Sequence, residues 1–185
     1  LQRLVDRGLL TRRRGVGTIV SPRHVHRPME LTSLMRDLVN AGHKVHTTIQ
    51  HYEARPATAQ EADTLKITEG TLVVHIERTR FADNEPIAVL TNLIPADIAP
   101  TMQELESASL YDLMRERGVT LASARQIIGA RSATTKEAKL LSEHRGAALL
   151  TSQRTTYDPS GRIVECGNHI YRASRYSFEA SLFAQ

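Results

Sequence analysis

The chain has 185 residues, 41% of them hydrophobic, with 24 Lys and Arg against 20 Asp and Glu and a single Cys. That length suits one well-buried domain plus a small attachment. No apolar run approaches the ~20 residues of a membrane span, and a lone Cys excludes an internal disulfide and fits a reducing cytoplasm. Trp is absent and the Phe and Tyr are few, which argues against a stacking platform for single-stranded nucleic acid.

Positive charge is concentrated at the start. Residues 1–28 hold seven Arg against one acid, Asp6, and so carry +6 in a chain whose net charge is only +4. Leu1, Leu4, Val5 and Leu9 recur at helical spacing, and Gly8 stands where a C-cap glycine belongs. Two β-prone runs follow, Leu9-Leu10-Thr11 and Thr18-Ile19-Val20, joined by Arg12, Arg13, Arg14, Gly15, Val16 and Gly17. This predicts a hairpin with a basic tip whose glycines let the backbone approach a ligand closely. A helix followed by an arginine-tipped ribbon is the second half of a winged helix-turn-helix. Arg12, Arg13, Arg14, Gly15 and Gly17 are then the candidate DNA contacts, each phosphate neutralised adding roughly −0.9 to the log–log salt slope of binding. The alternative is a solvated basic hairpin with no partner. The pattern L-x-x-L-x-x-x-G-L-L-x-x-x-x-G-x-G-T-x-V resembles the GntR superfamily of bacterial transcription regulators. The helix is entered in its middle, without the turns that reach base edges. The chain therefore reads as a fragment, with residues 1–20 the remnant of a head that binds operator DNA in its complete parent.

Residues 21–30 read as a linker. Pro22 and Pro28 fix φ and remove donors, favouring an extended connection. His24 and His26 fit a solvated role better than a metal site, since no third ligand lies at useful spacing.

Residues 31–41 predict an amphipathic helix ending at Gly42, and residues 45–54 a strand. An internal repeat comes next: residues 55–94 align with 131–170 at a constant offset of 76, with Arg55/Arg131, Thr58/Thr134, Glu61/Glu137, Gly70/Gly146, Arg78/Arg154 and Asn92/Asn168 among the identities. In each unit a Thr caps a short helix, with Glu at the capping-box position. Two strands then form a hairpin, at about 72–82 and 86–95 and at about 147–157 and 162–173. Ser109 caps a helix between the units, and residues 176–183 predict a last strand. Duplicated helix-plus-hairpin units should build one mostly antiparallel sheet with helices on one face, an α+β fold.

Several markers in order, Leu31-Thr32-Ser33, Glu77-Arg78-Thr79-Arg80, Ser109-Leu110-Tyr111 and Glu165 leading to His169-Ile170-Tyr171-Arg172, resemble the UTRA effector-binding domain of the HutC branch of that superfamily. The resemblance covers residues 31–185 and implies a chorismate lyase-like fold, a small anionic effector and a homodimer.

Period-two alternation places Arg78 and Arg80 on the strand face that begins with Leu72, Val74 and Ile76. Two guanidiniums on an apolar face ask for a carboxylate or phosphate; Glu77 or Glu165 could instead satisfy them internally. The resemblance assigns this pair to a phosphate. Ser109 and Tyr111 open one helix and Ser33 and Leu34 another, where backbone donors favour an anion. Met35 departs from the polar residue usual there. Glu165, His169 and Tyr171 share a strand face, and at the repeat offset their mates are the apolar Val89, Leu93 and Pro95. Glu165 could accept hydrogen bonds from a ligand or pair with Arg154 or Arg162. Cys166 points the other way into packing, and His43, His46, His51, His75 and His144 show no ligand spacing.

The expected function is a ligand-responsive repressor taking a small anionic metabolite, most plausibly a phosphorylated sugar, with no cofactor, metal, catalytic residue or membrane partner. The alternatives are a chorismate lyase-like enzyme, in which Glu165 and an Arg serve as acid and clamp, and a domain that only dimerises.

Overall fold

The computed structural model describes residues 10–13, 17–20, 25–28 and 30–182. The basic ribbon is present as β1 (Leu10–Arg13) and β2 (Gly17–Val20), antiparallel, with Arg12 opposite Thr18 and Arg13 opposite Gly17. The expected helix up to Gly8, and Arg14 and Gly15 at the tip, lie outside the described residues. Part of the expected linker is a strand, β3 (Val25–Pro28).

The elements that follow are α1 (Leu34–Asn40), β4 (Val45–Pro56), α2 (Ala59–Leu65), β5 (Leu72–Ala82), β6 (Glu85–Pro95), α3 (Met102–Ser107), α4 (Leu110–Glu116), β7 (Ser123–Ser132), α5 (Thr135–Leu140), β8 (Ala148–Tyr157), β9 (Ile163–Arg172) and β10 (Tyr176–Glu179). Six strands form one antiparallel sheet in the order β4-β5-β6-β9-β8-β7, and β10 pairs in parallel with β3 beside it. The expected α+β, mostly antiparallel fold is the one observed. α1 starts at Leu34, later than the periodicity of its apolar residues suggests, because Ser33 stays extended and its Oγ accepts the Arg36 N–H. β7 and α3 complete the fold without having been expected. β10 ends at Glu179, short of the residue 183 expected.

The repeat organises everything. Each unit is a strand, a capped helix and a hairpin, and the units meet at β6 and β9. Thr58 and Thr134 cap α2 and α5 in full capping boxes with Glu61 and Glu137. The gapless alignment fails at the hairpin, though. Arg80 faces Ala88 in the first unit, whereas the equivalent Thr156 faces Glu165 in the second, so the returning strands correspond at an offset of 77. The first turn is tight, with Asp83 and Asn84 both at positive φ; the second needs the longer loop 158–162 and gains a residue. One residue of shift exchanges the faces of a strand. The mates of Glu165, His169 and Tyr171 are therefore Ala88, Asn92 and Ile94, not Val89, Leu93 and Pro95. On this register the approximate two-fold passes where Thr91 sits opposite Asn168.

The helices of the repeat cover one face of the sheet: α2 packs Ala62 and Leu65 with Val73 and Cys166, and α5 packs Ala138 with Val89 and Leu149. The other face is not bare, contrary to the expectation of helices on one side. There α3 and α4 bury Leu105, Leu113 and Met114 against Val74, Ile76 and Ile94, and α1 buries Leu34 and Leu38 against Ala88, Leu90 and Tyr171. Between those two apolar clusters lies a patch of polar side chains.

Candidate functional site

The polar patch straddles the approximate two-fold. Arg78 and Arg154 reach it from equivalent positions on β5 and β8, and Asn92 and His169 from equivalent positions on β6 and β9. Burial is nearly complete: Arg78 and Arg80 are each 2% exposed and Glu165 is 0% exposed. A carboxylate so placed must be paired or richly hydrogen-bonded. Asn92 Nδ2 donates to Glu165 Oε1 at 2.6 Å, and the Thr156 hydroxyl (2.7 Å) and Tyr111 hydroxyl (3.2 Å) donate to Oε2. Burial pushes the carboxyl above its ordinary value, while Thr156, Arg154, Asn92 and Tyr111 pull it back. Burial, reinforced by Glu165, likewise raises Tyr111 to about 12. Arg154 donates from Nε to Gln126 at 2.7 Å and from Nη1 to the Tyr111 hydroxyl at 3.4 Å.

Neither internal pairing open to Glu165 forms: Arg154 is occupied as above, and Arg162 forks onto Asp97 at 2.7 and 2.8 Å. Gly167 makes the packing feasible. A Cβ there would stand 2.5 Å from Glu165 Oε1 and 2.6 Å from His169 Nε2, closer than real Cβ atoms come.

The two arginines are a different case. Arg78 donates Nη2 to Asn92 Oδ1 at 2.7 Å, and Arg80 donates Nη1 to the Thr47 hydroxyl. Their remaining buried nitrogens, Arg78 Nε and Nη1 and Arg80 Nε, have no hydrogen-bond partner. Among the described residues no carboxylate lies within ion-pair distance of either; Glu77 is taken by Lys136 at 3.1 Å. Burial lowers Arg78 to about 10, Glu165 opposing, and Arg80 to about 9, with Arg78 adding to the fall. Both remain cations at neutral pH.

Over these guanidiniums the starts of α1 and α4 close a solvent-open cavity of about 40 Å³. Of the nine residues singled out above for an effector, Arg78, Arg80, Ser109, Tyr111, Tyr171, Ser33, Leu34 and His169 line it; Glu165 lies behind Asn92 and Tyr111. Ser33 and Ser109 cap their helices, and Arg36 on α1 holds Asp112 on α4 at 2.9 Å across the mouth. Asn92, Arg154 and Thr156 were not singled out as binding residues. Asn92 had a signal in the repeat identities, but misaligning the hairpin hid that it shares the arginine face. Tyr171 places its ring on that of Tyr176 in β10, with centroids 4.3 Å apart and planes within 14°. A roomier groove, about 470 Å³, lies beside α5 on the opposite face. Its charged groups are already matched, Glu77 with Lys136 and Arg131 with Glu137. His43 is tucked against Asp83 at 2.7 Å.

Comparison with known proteins accounts for this architecture. The UTRA domain family model matches residues 40–177. The chain belongs to the UTRA-domain regulators of the GntR superfamily. It is 32% identical over 181 residues to the HTH-type transcriptional repressor NagR of Bacillus subtilis (strain 168), an alignment spanning 96% of this chain and 74% of NagR. The crystal structure of PhnF from Mycobacterium smegmatis superposes with a TM-score of 0.89, covering 100% of this chain and 82% of that one at 24% identity, a likeness of fold. A transcriptional regulator from Streptomyces coelicolor matches with a TM-score of 0.69 at 48% identity, over 77% of this chain and 96% of that one. The UTRA match thus contains the whole arginine site apart from the α1 cap.

Proposed function

We propose that this UTRA domain is the sensor of a transcription repressor and that the Arg78–Arg80 cavity takes a small anionic metabolite, a phosphorylated sugar being the best fit. One observation carries the reading. Two buried cations with three donor nitrogens left over line a cavity, and guanidinium forks match phosphate and carboxylate oxygens. Asn92, Tyr111 and Arg154 form the polar wall beside that anion and, with Asn92 and Tyr111 held from behind by Glu165, orient the rest of the guest. The repressor acts as a homodimer in the cytoplasm, reading operator DNA through a head that includes the arginine-tipped ribbon. Binding changes the pose of the linker and thus the separation of two heads, and half-sites at fixed spacing no longer admit both. By linkage, operator DNA weakens effector binding by the same factor.

Nothing in the site favours an enzyme. The one thiol, Cys166, faces the α2 side and is pushed up to about 11 by burial, and Tyr111 is far from neutral-pH ionisation.

Thermal denaturation with inorganic phosphate and a panel of sugar phosphates tests the reading. Expected is a rise in Tm for the wild type and none for Arg80→Met. Removing an uncompensated buried cation should also raise the basal Tm, roughly 2–4 °C for each ~1 kcal/mol gained in a domain of this size. No shift with any anion would leave a domain that only dimerises, and turnover of chorismate would leave the enzyme.

A further inference from the structure

The cavity over Arg78 and Arg80 is too small for a whole metabolite. Its 40 Å³ equals the space of about three waters, enough for one phosphoryl or carboxylate group. Pockets that enclose a small molecule run to about 300–1,000 Å³. What is lacking lies next door. An open groove of about 350 Å³ lies between Leu31 and the outer strand β7, and Arg154 lines groove and cavity alike. Floor and roof are both continuous. On the floor, Asn92, Gly167, Arg154 and Gln126 stand opposite one another in a single row across β6, β9, β8 and β7. With strands about 4.8 Å apart, the row runs about 14 Å outward from Asn92, the partner of Arg78, to Gln126. In the roof, Glu30 and Leu31 border the groove and the next residues, Thr32 to Met35, border the cavity.

Arg154 joins the two halves. Buried itself, it gives Nε to Gln126 on the groove side at 2.7 Å and Nη1 to the Tyr111 hydroxyl on the cavity side at 3.4 Å. The second bond is longer than the usual range and is readily given up to a guest. The ends of this trough differ in kind. The cavity offers cations and hydrogen-bond donors; the groove offers Leu31, Ala122 and Ala124 with a single acid, the exposed Glu30, which no cation pairs among the described residues. We propose that the effector is an elongated phosphate monoester that fills both. Its phosphoryl group sits on Arg78 and Arg80, an apolar stem passes Arg154 along Leu31 and Ala124, and an amine at its far end faces Glu30. This rests on the sensor reading above and narrows the guest to a phosphate whose body continues into a basic arm.

Calorimetric titration of the chain with inorganic phosphate, hexyl phosphate and aminohexyl phosphate tests this. Each methylene fully buried is worth about fourfold in affinity, so hexyl phosphate should bind at least about tenfold more tightly than inorganic phosphate. The terminal amine should add about two- to fivefold at low salt, the range of an exposed ion pair. Ala124→Trp, which fills the groove from an exposed strand position, should bring the ratio of hexyl to inorganic phosphate affinity down toward one. Glu30→Gln should do the same to the ratio of aminohexyl to hexyl phosphate. Equal affinities for all three probes would keep the anion site and overturn the arm. A hexyl gain kept in full by Ala124→Trp would overturn the path through the groove, and an amine gain untouched by Glu30→Gln would overturn its far end. No binding of any probe to a chain that melts cooperatively would overturn the reading of the cavity together with the arm.

Discussion

Around α2 and around α5 the same residues do the same work. Thr58 and Thr134 cap, Glu61 and Glu137 return the bond, and Arg55 and Arg131 fork onto the glutamate at 2.6 to 2.7 Å. Across the sheet the equivalents part company: Arg80 answers to Thr156, Ala88 to Glu165, Leu90 to Gly167 and Ile94 to Tyr171. Only Arg78 and Arg154 keep their identity there. Identity survives where a local motif must close on itself, and it is lost where side chains from both halves converge. A symmetric cradle could not distinguish the ends of a guest; this one sets uncompensated cations on one side and, on the other, Asn92 and Tyr111 ordered by a carboxylate buried behind them.

Breaking the divergent side should have the largest effect. Glu165→Leu leaves the Asn92, Thr156 and Tyr111 donors without their acceptor; at about 1–3 kcal/mol for each buried group stranded, urea unfolding should show a loss of about 3 kcal/mol or more. Stability unchanged from the wild type would mean that this network does not tie the halves together. Glu165→Gln keeps the shape and removes the titration. A carboxyl raised by burial favours folding fully below its unfolded value and loses that advantage as pH rises through its folded value. The Gln variant should flatten that dependence.

Gly167→Ala comes next, at about 1–3 kcal/mol for overpacking, because the Glu165 and His169 side chains stand where the methyl group must go. A melting temperature equal to the wild type's would contradict the packing described.

On the side the halves share, effects should be smaller and matched. Thr58→Ala and Thr134→Ala should each cost about 1 kcal/mol, and a clear inequality would show that the two caps are not equivalent. Glu61 and Glu137 are both lowered to about 2, chiefly by the hydrogen bonds of Arg55 and Arg131. Stability from these exposed clamps is present above the ordinary carboxyl value and is lost as pH falls toward about 2. Arg131→Ala should remove half of that acid sensitivity in a titration of stability against pH, and a double variant with Arg55→Ala the rest.

The repeat, both capping boxes, four of the central strands and the arginine pair were readable from residue order, because each depends on neighbours close along the chain. β7 escaped because Ile127 and Ile128 are adjacent, so its apolar residues do not alternate as in a half-buried strand. The hairpin offset escaped because Ile87/Ile163, Asn92/Asn168 and Ile94/Ile170 match at 76 by coincidence, and only cross-strand partners expose the added residue. Asn92, which links Arg78 to Glu165, could not be ranked above Asn168, its coincidental match at 76, without knowing which face each occupies. That the guanidiniums lack a carboxylate is a property of three-dimensional packing, which no spacing along the chain reveals.

Tyr171 ends the cavity wall on one side and lies flat on Tyr176 on the other, and β10, which carries Tyr176, is the strand that holds β3. Stacked rings already in contact resist compression, so on the sensor reading proposed above a guest that presses on the first ring pushes the second along the stacking axis, and β3 with it. On that reading β3 is a lever whose short arm is a tyrosine, its throw set by how far the occupant reaches past the arginines.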